Sequence, residues 1–105
     1  MFVTSTIIAF VTAYNLISTQ TDSSPCIGAT GENLCIALSF GEKICASNDY
    51  KMGTWLSVPG YGICRIADRM NRRYTGTGRI DVAFPADETR EARKWGVKKL
   101  KVTRL

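Results

Sequence analysis

Histidine is absent from this 105-residue sequence. That excludes His-based catalytic triads, His proton shuttles and His-rich metal centres. Any acid/base chemistry must come from carboxylates, Tyr, Lys or Cys. Long hydrophobic runs are also missing, and Ile7 to Tyr14 is far too short to span a bilayer. Basic residues do not occur before Lys43. Up to Glu42 the only charges are Asp22, Glu32 and Glu42, so that part is −3 and the remainder carries +8. An ordinary signal peptide needs a cationic start ahead of its apolar stretch. The expectation is a secreted, periplasmic or wall-associated protein whose signal is not part of this chain.

What is present bounds the chain to one small domain, 45% hydrophobic, that needs help burying enough surface. Cys26, Cys35, Cys45 and Cys64 are candidates to supply it. A zinc site would require all four thiolates, with no C-x-x-C pair and with spacings of 9, 10 and 19 residues, which suit zinc poorly. Two disulfides in an exported protein are expected instead. Three pairings are open, and residue types alone do not choose among them. No metal and no cofactor are expected. The +5 net charge favours an acidic partner such as an anionic wall polymer, nucleic acid or a membrane surface, and charge alone does not choose among them or against a merely solvated surface. The basic residues are too scattered to argue for nucleic acid.

The pattern reads mostly β. Phe2 to Tyr14 has strand composition, and Asn15 to Gly31 reads as a long polar loop. Leu34 to Phe40 and Lys43 to Ala46 flank Gly41-Glu42 and predict a hairpin. Thr54 to Val58 and Ile63 to Ala67 flank the Pro59-Gly60-Tyr61-Gly62 turn. One helix is expected, capped by Asp87 and ending before Gly96, with Ala92 and Trp95 toward the core. Val97 to Thr103 then alternates as a last strand. Short strands with one late helix predict a small closed barrel.

Two carboxylates, Asp68 and Asp81, stand at the ends of an arginine- and glycine-rich loop joining two apolar runs. Paired acids are the minimum apparatus for breaking a glycosidic bond. An apolar flank (Ile80, Val82) and a neighbouring carboxylate would both raise the pKa of Asp81. The plain structural alternatives are a backbone-bonded aspartate at Asp81, an ion pair of Asp68 with Arg69 or Arg79, and a turn residue at Asp49. Tyr14, Trp55, Tyr61 and Tyr74 could stack on sugars or pack in the core. Arg72 and Arg73 could meet an anionic group or simply face solvent.

Four segments carry a resemblance. They are Thr12-Ala13-Tyr14; Met52-Gly53-Thr54 after Ala46-Ser47-Asn48; Ala67-Asp68-Arg69; and Arg79-Ile80-Asp81-Val82-Ala83-Phe84 followed by Trp95-Gly96-Val97. In order and spacing the chain resembles double-psi β-barrel proteins of the three-aspartate (3D) domain type. These are similar to the rare lipoprotein A-like proteins and to the barrel of membrane-bound lytic transglycosylase A. The match runs from Thr12 to Val102. Asn48-Asp49 stands in place of the family's run around its first aspartate, and Arg69-Met70-Asn71 replaces a glycine pair.

The resemblance implies a six-stranded double-psi barrel and a monomer acting on peptidoglycan or another cell-wall glycan. It implies Asp81 as the acid/base of a lytic transglycosylase, with Asp68 and Asp49 as the other aspartates. Tyr14, Thr54, Arg69 and Arg79 become substrate-binding candidates. The alternative is a non-catalytic wall-binding or expansin-like module, which the altered segments around Asp49 and after Asp68 favour. In such a barrel the runs holding Cys45 and Cys64 would be neighbours, leaving Cys26 to pair with Cys35 and both bridges beside the site.

Overall fold

The computed structural model of the chain describes residues 5–16 and 26–105. Six strands form: β1 (Ser5–Asn15), β2 (Ile44–Ala46), β3 (Trp55–Val58), β4 (Gly62–Asp68), β5 (Ile80–Phe84) and β6 (Lys98–Arg104). Two helices, α1 (Leu34–Ser39) and α2 (Thr89–Trp95), and a 3₁₀ turn at Arg72–Tyr74 complete the elements. The strands close into a barrel in the order β1-β5-β2-β4-β3-β6. Closure leaves no unpaired sheet edge. The pairs β1/β5 and β2/β4 run parallel and the rest antiparallel. The expected fold class, a small mainly β closed barrel of six strands, is the one observed, with two helices where one was expected.

Alternation along each strand builds the core. Ala9 and Val11, Leu56 and Val58, Cys64 and Ile66, Ile80 and Val82, and Val102 turn inward and are buried. Trp95 of α2 plugs this core with Tyr61 and Phe84, whose rings meet Trp95 at 6.1 and 6.4 Å. Its indole N–H donates to the Val11 carbonyl at 3.0 Å. A second cluster, Leu16, Leu34, Ala37, Ile44, Ala67 and Ala83, lies under α1 with Tyr14 packed against it.

Two sequence expectations give way here. Leu34 to Phe40 is not a hairpin strand: Leu34–Ser39 is helical. Asn33 caps it, its side chain accepting from the Ile36 N–H at 3.1 Å. Leu34 and Ala37, three apart, form the buried stripe. A six-residue apolar run has no period that separates strand from helix, so the cap and the neighbouring cluster decide. Asp87 does not cap α2 either: Glu88 stands at its N-cap without a side-chain bond. Ala92, Trp95 and Gly96 keep their expected places.

Both expected disulfides form, Cys26–Cys35 and Cys45–Cys64, with Cα atoms 5.0 and 5.8 Å apart. The first ties its loop to α1 rather than to a strand. The second joins β2 to β4 inside the barrel. Among the described residues no helix is long and apolar enough to cross a membrane.

Candidate functional site

The central element is β2, short and wholly buried between β4 and β5. Its Ala46 pairs with Asp68 on one side and with Asp81 on the other. The loop from β4 to β5 thus returns its two aspartates to opposite flanks of one residue. Two strand spacings put their backbones roughly 10 Å apart. A bulge between Cys45 and Ala46 shifts the register just where Asp68 arrives.

Asp81 faces β1, where Thr12 is its parallel partner and donates its hydroxyl to the carboxylate at 3.0 Å. Burial raises the Asp81 pKa from 3.8 to about 6, assisted by the charge of Asp68. The Thr12 hydrogen bond and the Arg79 charge pull the other way without winning. Desolvation is the largest of these effects, because burial penalises the charged form of the carboxyl. Tyr14, two residues along β1, donates its hydroxyl to Asp68 at 3.5 Å. Burial and the charges of Asp68 and Asp81 push the Tyr14 phenol well above its usual range. Tyr14, Asp68 and Asp81 therefore share one electrostatic environment.

Asp68 also accepts from two backbone N–H groups, Ala29 at 3.1 Å and Arg69 at 2.9 Å. Ala29 reaches it because Gly28 lies so close to β4 that a Cβ there would stand 2.7 Å from the Ala67 carbonyl oxygen. The expected alternative of an Asp68–Arg69 ion pair does not form. The Arg69 guanidinium donates instead to the carbonyls of Ser47 and Tyr50, at 2.6 and 2.5 Å.

Asp49 stands apart. Its two oxygens accept from Gly76 and Gly78 N–H at 2.6 and 2.9 Å, clamping the β4–β5 loop. Asn48 adds a second clamp, donating to the Asn71 carbonyl at 2.9 Å and accepting from Met70 N–H at 2.9 Å. Sequence reasoning missed Asn48, and also Thr12 as the partner of Asp81. Thr12 was visible only as part of a motif, since its role depends on parallel pairing across 69 positions. Thr54 lies at the turn before β3, with backbone bonds to Lys51 and Ile66. No bond joins it to the aspartates. Arg79 packs over the Tyr74 ring at 4.7 Å, and Arg73 over the same ring at 4.8 Å. Of the other aromatic candidates, Tyr61 is core and Trp55 is exposed.

The arrangement can hold one proton near neutral pH, with a hydroxyl to orient it and a second carboxylate nearby. Among the described residues no group of three or more His, Cys, Asp or Glu could hold a metal ion. Compared with known proteins, the chain matches no family model and no curated protein.

Proposed function

We propose that this barrel is a wall-glycan-cleaving enzyme of the lytic transglycosylase type, with Asp81 as its single acid/base. The observation that carries the reading is the part-buried Asp81 carboxyl, pushed to about 6, held by Thr12 and set across Ala46 from Asp68. A general acid works best when its pKa lies near the working pH. Protonated Asp81 gives its proton to the oxygen linking N-acetylmuramic acid to N-acetylglucosamine. The bond from that oxygen to muramic C1 breaks, and the N-acetylglucosamine 4-hydroxyl leaves. Positive charge gathers at C1 and the ring oxygen, where the Asp68 carboxylate stabilises it. The Asp81 carboxylate then takes the proton of the muramic C6 hydroxyl as O6 closes on C1. A 1,6-anhydro sugar forms and Asp81 is protonated again, with no water consumed. The test is analysis of muropeptides after digestion of purified wall. Release of 1,6-anhydro products is expected, lost in Asp81→Asn; their absence at every pH between about 4 and 8 overturns the reading.

The second reading is a non-catalytic wall-binding module. It is favoured by the backbone bonds already made by Asp49 and Asp68. Cosedimentation with wall separates the two, because a binding module pellets with wall and releases nothing.

A further inference from the structure

The outer face of β1 leads from the Thr12–Asp81 pair to side chains that the fold leaves uncovered. Residues two apart on a strand share a face, so Phe10 and Ile8 lie on the face that Thr12 presents to Asp81. Phe10 is 55% exposed and Ile8 53%. An isolated exposed apolar side chain is ordinary; these two stand in line with the proposed acid.

Cations flank them on both sides. The antiparallel register sets Phe10 against Lys99 and Ile8 against Lys101 of β6. Cross-strand partners lie on the same face and within reach of each other. On the β5 side, Val11 pairs with Ile80. Arg79 directly precedes Ile80 and leads into β5 at this point. The Arg79 guanidinium rests on the Tyr74 ring at 4.7 Å, and its Nε is buried with no acceptor. Phe10 is thus paired with Lys99 on the β6 side, and on the β5 side Arg79 stands at the entry to the strand that carries Asp81 opposite Thr12.

We infer that Phe10, with Lys99 beside it and Arg79 at the entry to β5, is a stacking platform for one sugar ring of an anionic glycan strand, adjoining the bond that Asp81 would cleave. The identity of the polymer rests on the reading of Asp81 given above. The apolar C–H face of a pyranose packs against the electron-rich face of an aromatic ring. Carboxylates carried by the strand meet a lysine and an arginine, which bind such groups by charge-assisted hydrogen bonds. Residues two apart on a strand are roughly 7 Å apart, so a sugar on Phe10 is next in line to one held at Asp81. Two apolar side chains interleaved with lysines are too small a patch for a stable protein interface.

The experiment is cosedimentation of the full chain with purified sacculi, carried out in an Asp81→Asn background so that binding is read without turnover. Phe10→Ala is expected to weaken binding roughly tenfold and Phe10→Trp to retain it. Lys99→Ala is expected to weaken binding at low salt and to flatten its salt dependence. Sacculi with amidated carboxyls should bind the parent more weakly, and the loss on amidation should be smaller for Lys99→Ala, in which Arg79 alone remains to meet a carboxylate. Phe10→Ala protein that keeps both disulfides and binds sacculi within about twofold of the parent overturns the inference. So does a Phe10→Ala loss seen only on anionic phosphatidylglycerol vesicles, which assigns the patch to a membrane surface. If wall is never cleaved but Phe10→Ala still loses binding, the platform stands and the catalytic reading fails. If 1,6-anhydro products form and Phe10→Ala leaves KM unchanged, the reverse holds.

Discussion

Asp81 is where opposing effects can be ranked residue by residue. Burial raises its pKa, and the Thr12 hydroxyl and the Arg79 charge lower it. Thr12→Val removes a donor that favours the ionised form, so the Asp81 pKa is expected to rise beyond about 6. Carboxyl NMR titration checks this, and in an active enzyme the alkaline limb of the pH–rate profile should move the same way. The shift also bears on stability. Asp81 binds its proton more tightly folded than unfolded, so its contribution is fully present below about pH 3.8 and lost as pH rises through about 6. The loss is on the order of 3 kcal/mol at most. Asp81→Asn has nothing to ionise, so it should lose less stability between pH 4 and 7 than wild type in paired denaturant melts.

Elements are held by caps and clamps that the hydrophobic pattern does not reveal. Asn33 turns an apolar run into α1 by accepting from Ile36 N–H. Asn33→Ala is expected to cost about 1 kcal/mol in chemical denaturation. That run was misread as a strand because six residues are too few for periodicity to decide, although an Asn directly before it was a signal for a helix start. The β4–β5 loop is held the same way, by the Asp49 carboxylate on Gly76 and Gly78 N–H. In Asp49→Ala these two amides should exchange with solvent at least tenfold faster, while amides in β5 keep their protection. Equal protection in wild type and variant would show that the loop needs no clamp.

Over the whole molecule, stability rests on closure and covalent stitching more than on core size. Cys45–Cys64 is fully buried and joins two parallel barrel strands. Replacing both cysteines with Ala is expected to cost about 3 kcal/mol or more, since a 19-residue loop is freed and buried volume is lost. Thermal melts under non-reducing conditions measure it. Arg65 of β4 makes a second tie, bonding Glu32 through two contacts of 3.0 and 2.6 Å and Glu42 at 2.5 Å. Its hydrogen bonds hold the Glu32 carboxyl below its ordinary 4.5. That contribution is present above pH 4.5 and fades as pH falls below it. Acid therefore weakens this link while it relieves Asp81.

The sequence by itself determined the alternation of small inward and outward residues, the terminal helix face of Ala92 and Trp95, and the two apolar runs that end in carboxylates. These are local patterns, and strand and helix periods are local properties. It also excluded histidine chemistry outright, because a missing residue type is missing from every fold. Only the tertiary structure decided that Asp68 and Asp81 flank Ala46 and that Thr12 holds Asp81. It alone turned Asp49 toward a loop and lined Phe10 up with Lys99. The reason is physical: cross-strand register is set by which distant segments pair, and a shift of one residue would turn each of these side chains to the opposite face of the barrel wall.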